Sequence, residues 1–452
     1  MTKPQSHGKV RIRLKCGRGH LGVHRVACVG VLLVCASLFV PEAVADPGQL
    51  TFVEAESDGV GGVDGLYGAV TVAVSPDGAH VYATGRYDNA VAVFSRNATT
   101  GELTFVEAQF QGVGGVSGLN DPYSLAVSPD GAHVYATGNL SDSVAVFSRN
   151  VTTGTLTFVE AQFDGVGGVN GLWRAAGVDV SPDGAHVYVT AMLDDAVAVF
   201  SRNATTGELT FVEAQFDGVG GVEGIDEVWE VTVSPDGAHV YVGAIIDDAV
   251  AAFSRNATTG ELTFVEAEFD GVGGVQGLGS GGIRFMAMSP EGTHLYIANA
   301  DENAVAVFSR NASTGELTFV EAQFDGVGGV DGLGGCFGVG VSPDGSNVYA
   351  VASATYDIDD AIAVFSRDTE TGELTFIEAH FDGVGGVSGL DGGVTVALSP
   401  AGDHVYVACI DDSSVAVFSR QVSSPVPTAS LVALGVLSLA LLGIASRRLR
   451  VR

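Results

Sequence analysis

The tripeptide FSR closes seven near-copies of one stretch of sequence, with its arginines at Arg96, Arg149, Arg202, Arg255, Arg310, Arg367 and Arg420. Successive arginines stand 53, 53, 53, 55, 57 and 53 residues apart. The first copy reads VTVAVSPDGAHVYATGRYDNAVAVFSR over 70–96 and continues into LTFVEAQF at 103–110. Self-similarity at a period of roughly 40 to 50 residues marks propellers, solenoids and arrays, because each unit buries its apolar face only against the next.

The second copy reads as four strands. Residues 123–127 run into Ser128-Pro129-Asp130-Gly131, with proline and glycine where a type I turn wants them. Residues 133–137 form a second strand. Residues 143–149 alternate apolar with small or polar side chains, as a half-buried strand does. The turn at Thr152-Thr153-Gly154 leads to a fourth strand over 156–163, and the glycine-rich DGVGGVNGL at 164–172 connects to the next copy. Four antiparallel strands, seven times over, predict an all-β, seven-bladed propeller over 46–421. The phase of the ends predicts closure. The array begins with a lone fourth strand at 50–56 and ends on a third strand at 414–420, so the first strand can complete the last blade and cover its edge.

Charge narrows the partners. The chain carries 21 basic against 53 acidic residues, a net charge of −32, and most of the basic ones sit at its two ends. Residues 46–446 contain no lysine, and seven of their arginines belong to the FSR repeats. The arginines left over are Arg86, Arg174 and Arg284. Such a surface repels phosphate backbones, which argues against nucleic acid.

The ends read as targeting signals. A basic stretch at 1–25, an apolar run at 26–40 and Ala43-Val44-Ala45 form a secretory signal peptide over 1–45. After a linker at 422–428, residues 429–446 are apolar or small and long enough to span a bilayer, and Arg447, Arg448, Arg450 and Arg452 follow. With Pro425-Val426-Pro427 ahead of it, the segment 429–452 resembles a PEP-CTERM sorting signal. The expectation is an exported protein tethered at the cell surface or in a membrane. Cys336 and Cys409 remain after cleavage, and they read as unpaired core residues, although the compartment permits a disulfide.

Repeated polar residues have structural readings. Arg149 and Glu160, and their counterparts, are expected to face each other across a hairpin. His80, His133, His186, His239, His294 and His404 each open a second strand and suit turn packing. The Asn-X-Thr/Ser triplets at Asn97, Asn150, Asn203, Asn256 and Asn311 fall in a hairpin turn.

SPDG followed by HVYV, a DDAVAVF strand and a TGELTF turn resembles the seven-bladed propeller lactonases, which include 6-phosphogluconolactonase-type members, and is similar to the YVTN-repeat surface proteins. The resemblance implies the fold over about 50–421. It also implies catalytic His, Arg and Glu side chains around the central channel, with a histidine five residues ahead of the turn serine. Those seven positions read Val70, Tyr123, Ala176, Trp229, Arg284, Phe337 and Val394, with no histidine among them.

Near-identical units do chemistry only where they differ. The differences cluster ahead of the innermost strand: Trp173 and Arg174, then Asp226, Glu227, Trp229 and Glu230, then Arg284, Phe285, Met286 and Met288. Arg174, Glu227 and Arg284 share a parity counted from the turn serines. They are the expected ligand-binding set and catalytic candidates for a small anionic ligand held by two guanidinium groups, with Trp173 and Trp229 as an apolar wall. Glu230 has the opposite parity and is expected between blades. The same rim carries an acidic ring from Asp88 and Asp142 round to Asp411 and Asp412, read as turn residues bonding their own backbone. A calcium ion is the alternative, without EF-hand-like or RTX-like spacing to mark a site. These features point to a binding or structural scaffold for a small anion or a cell-surface polymer, with a lactonase-like hydrolase as the alternative.

Overall fold

The computed structural model describes residues 47–353 and 359–422. The expected signal peptide, the linker beyond Val422 and the segment over 429–452 lie outside the described residues. Among the described residues, twenty-eight strands form seven four-stranded antiparallel sheets. We number the blades one to seven by the FSR arginine each contains. Blade three, from axis to rim, is Ala175–Val180, His186–Ala191, Ala196–Arg202 and Leu209–Phe216. In blade two the innermost strand is shorter than expected, Leu125–Val127.

Blade seven has Gly393–Leu398, His404–Cys409 and Ser414–Arg420 from its own copy. Its outer place is taken by Leu50–Ser57, paired antiparallel with Leu50 opposite Arg420. Closure therefore occurs as the phase of the repeats predicts. The core lies between sheets. Third-strand residues such as Val197, Val199 and Phe200 are fully buried, since both faces of that strand meet a neighbouring blade or an overlying loop. Phe200 meets Phe211 of the outer strand edge-on at 5.7 Å, an arrangement the ring quadrupoles favour. Cys336 and Cys409 are free and buried.

The FSR arginine is structural but not in the way its hairpin suggests. Arg202 does not face the outer-strand glutamate. Its side chain crosses to blade two, where Nε donates to the Tyr135 hydroxyl at 2.8 Å and Nη2 to both Asp130 oxygens at 2.9 and 2.8 Å. Nη1 holds the Gly184 carbonyl of its own turn at 2.8 Å. The Tyr135 hydroxyl donates in turn to the Gly207 carbonyl of blade three at 3.0 Å. Arg96 makes the same contacts with Tyr406, Asp403 and His404, joining blade one to blade seven. The glutamate also reaches outward: Glu160 accepts from the Leu209 amide of the next blade at 2.7 Å. A hairpin fixes strand register but not which way long side chains leave the sheet, and the buried polar partners lie in the adjacent blade.

The histidines complete this socket. His133 Nδ1 lies 2.8 Å from Arg202 Nη2, and a cation beside it requires that nitrogen to accept. Gly207 covers the ring at φ 82°, and a Cβ there would run into the imidazole. In blade six Asn347 stands in for histidine and accepts from Arg420 through Oδ1 at 2.7 Å.

Two expectations follow. Deleting residues 47–57 removes the outer strand of blade seven, the Glu54 acceptor for Leu103 and the Gly48 acceptor for the Tyr349 hydroxyl. Thermal melts should drop by well over ten degrees or lose cooperativity; an unchanged melt would mean that closure carries no stability. The second concerns acid. Burial and the arginine charge push His80, His133 and His186 below their usual 6.5. Against burial, which alone would raise them, serine hydroxyl, backbone N–H and arginine hold Asp77, Asp130 and Asp183 down at about 2. Both groups bind protons less readily folded than unfolded, so their stability is complete above the unfolded values and lost below them. Denaturant titrations should show stability falling in two stages, first below 6.5 and then from 3.8 toward about 2.

Candidate functional site

Six of the seven positions five residues ahead of the turn serines, all but Ala176, meet at one end of the axial channel. Val70, Trp229, Phe337 and Val394 pack in one buried cluster with Phe285 and Ala300, and Tyr123 leans on it. Trp229 meets Tyr123 at 5.2 Å and Phe337 at 6.2 Å, both edge-on. The Arg284 guanidinium lies over Trp229 and Phe337 at 5.2 and 5.3 Å and donates to the carbonyls of Gly281 and Ile283. The place where the family resemblance implies a histidine is thus an apolar plug crossed by a cation.

Beside the plug a pocket of about 110 Å³ opens on the rim, lined by Arg86, Tyr87, Tyr123, Trp229, Phe337 and Asp411 with Val70, Val394 and Ile410. Arg86 comes from the loop after the second strand of blade one. Its Nε donates to Asp121 at 2.6 Å, and its guanidinium covers the Tyr123 ring at 4.6 Å. A desolvated cation on an aromatic face gains electrostatic attraction from the ring quadrupole.

The expected set divides. Arg284 and Trp229 meet at the plug. Arg174 and Glu227 do not belong to a strand: they hold φ of 62° and 57°, just before the innermost strands, so strand parity does not govern them. Arg174 Nη1 donates to Asn139 of blade two at 3.0 Å, and Trp173 is about half exposed on the rim. Among the described residues Arg174 and Glu227 make no ion pair with each other. The acidic ring caps loops rather than its own turn. Asp194 accepts from the Trp173 amide of its own blade at 2.9 Å, and Asp142 from the Arg174 amide of the next blade at 2.9 Å. Two rim trios, Asp58–Asp64–Asp88 and Asp325–Asp331–Asp359, bring carboxylate oxygens within 4.8 Å of one another.

Glu230 is not between blades. A bulge in the blade-four pairing falls between Val228 and Glu230, which lets Trp229 turn to the plug and Glu230 to the channel. There it lines an axial cavity of about 390 Å³ to which all seven innermost strands contribute. Asp179 of blade three lines the same cavity and was missed in the sequence. Its signal was available: two residues ahead of the turn serine the other blades carry Ala73, Ala126, Thr232, Ala287, Gly340 and Ala397.

A family profile described as lactonase, seven-bladed beta-propeller matches residues 40–173, 166–276, 218–332 and 329–430. The chain belongs to that family. A curated relative from Arthroderma benhamiae, named a probable 6-phosphogluconolactonase, is 26% identical over 273 residues, 57% of this chain. The chain spans 65% of that relative's length. The periplasmic gluconolactonase of Pseudomonas aeruginosa superposes with a TM-score of 0.54 at 19% identity, covering 70% of this chain and 85% of that one. Kuenenia stuttgartiensis hydrazine synthase superposes at 0.57 and 18% identity, covering 81% of this chain and all of that one. At these identities the solved structures speak to the fold alone, as the unlike names indicate.

The plug makes a direct prediction. Trp229→Ala opens a void under Tyr123, Phe337 and Arg284 and should destabilise the protein by about 3 kcal/mol in chemical denaturation. A change below about 1 kcal/mol would mean the ring collapses freely into the space.

Proposed function

We propose that this chain is an exported, tethered lactonase-family propeller whose rim pocket binds a small carboxylated or phosphorylated lactone and opens it. The observation that carries the reading is the pocket itself: Arg86 and Asp411 stand against an aromatic wall at the mouth of the channel, the region the family resemblance implicates. In hydrolysis a water adds to the lactone carbonyl and gives its proton to Asp411, while Arg86 faces the oxyanion. The ring C–O bond then breaks, and the departing oxygen takes that proton back. Guanidinium donors aimed at developing negative charge are the usual source of such stabilisation. The case for export comes from the sequence: the basic and then apolar signal peptide at 1–45, and the apolar segment at 429–446 with its basic tail.

The absence of histidine from the seven aligned positions favours a second reading, a non-catalytic binding scaffold that keeps the pocket and has lost the reaction. Turnover of a panel of sugar and aromatic lactones separates the two. The hydrolase reading expects turnover of at least one, reduced about 100-fold in Asp411→Asn, as loss of a general base requires, with an unchanged melt. Binding without turnover supports the scaffold. Neither binding nor turnover sinks both.

A further inference from the structure

Asp179 and Glu230 sit inside the ring, behind the aromatic plug, and the proposed lactone chemistry does not use them. The eighteen-residue wall of their cavity contains no lysine, arginine or histidine, so no fixed cation faces the two carboxyl groups. Asp179 is partly satisfied, accepting from the amides of Val180 at 2.7 Å and Val233 at 2.8 Å. Glu230 keeps partial exposure to the channel, but its Oε2 is buried and has no hydrogen-bond partner among the described residues. A buried carboxylate left in that state is costly unless it takes up a proton or a cation. Burial, then the neighbouring Asp179 charge, push Glu230 well above the usual carboxylate range, and burial lifts Asp179 to about 6. The remaining polar groups on the wall are the hydroxyl-bearing Thr71, Ser124, Thr232 and Thr395, all oxygen donors.

We propose that Asp179 and Glu230 form a site for a hard divalent cation, Ca²⁺ or Mg²⁺, held in the axial channel. All-oxygen donors with two carboxylates and room for bound water are what such ions select. Soft-metal ligands line the site only as the Met286 thioether, which hard ions ignore. The ion is held by the anionic form of both carboxyl groups, so a proton carried by either one leaves to solvent on binding. Entry is from the end away from the plug, where Val74 and Val127 keep partial exposure to solvent. The rim trios are a separate matter: they face solvent, and no orphaned group marks them.

Protein stripped with EDTA is titrated with Ca²⁺ by calorimetry and followed in thermal melts, beside Glu230→Gln and Asp179→Asn, which keep side-chain shape. The wild type is expected to bind saturably, to release protons on binding and to melt a few degrees higher at about 100 times Kd. Either variant should weaken binding about tenfold or more, as loss of one ligating carboxylate does. No saturable binding in the wild type overturns the proposal. Binding unchanged in both variants also overturns it, because the rim would then hold the ion. Should neither variant fold, Tb³⁺ replaces Ca²⁺ in the wild-type background. Tryptophan-excited emission that is lost in Trp229→Phe and kept in Trp173→Phe supports the channel site; the reverse overturns it. Lactone turnover enters none of these readouts, so the site stands or falls independently of the rim pocket.

Discussion

A guanidinium that leaves its own sheet and is consumed in the preceding one makes seven separate sheets a ring. Each such arginine uses all three nitrogens at once, on a tyrosine hydroxyl, a turn carboxylate and a carbonyl of its own blade, as Arg149 does with Tyr82, Asp77 and Gly131. A planar fork serves three directions with one desolvation, and a lysine ammonium has no equivalent geometry. The chain between 46 and 446 uses no lysine. The side chains of these arginines are almost wholly buried while their aspartates stay about two-fifths exposed. The contact therefore gains geometric definition from the buried end and escapes full desolvation at the other.

The socket tolerates substitution only by chemistry that keeps an acceptor in place. Blade five offers Glu291 to Arg367 where other blades offer aspartate, and blade six offers Ser346 and Asn347 to Arg420. Such substitutions keep the array regular, and regularity frees the axis. The inner ends of the blades contribute to both plug and channel, so nearly identical units deliver unlike side chains to each level. Trp229 and Glu230 are neighbours in sequence but face the plug and the channel respectively, separated by one bulge.

This division explains what the sequence discloses. Blade number, strand boundaries and closure were legible because they are written seven times over, and the splice of Leu50–Ser57 into blade seven follows from phase alone. Inter-blade contacts were not, because the Arg202 partners lie about 70 residues back, and no local pattern says that Arg202 prefers Asp130 to Glu213. At the site, the aligned positions foretold that Trp229, Arg284, Tyr123 and Phe337 share a level. Strand parity does not apply to Arg174 and Glu227, because both precede the innermost strands at positive φ. Asp179 escaped notice because it sits in a strand otherwise read as ordinary core.

The splice has a consequence for assembly. The outer strand that completes blade seven, LTFVEAES, differs from the outer strand of blades one to three, LTFVEAQF, only in its last two residues. The open place in blade seven accordingly recognises a kind of strand and not a particular one. What seats the chain's own first strand is tethering, which gives it a local concentration no separate molecule matches in dilute solution. The chain's own strand keeps the place for as long as that advantage lasts. At high concentration, molecules of this design are able to exchange first strands while keeping the same strand pairing.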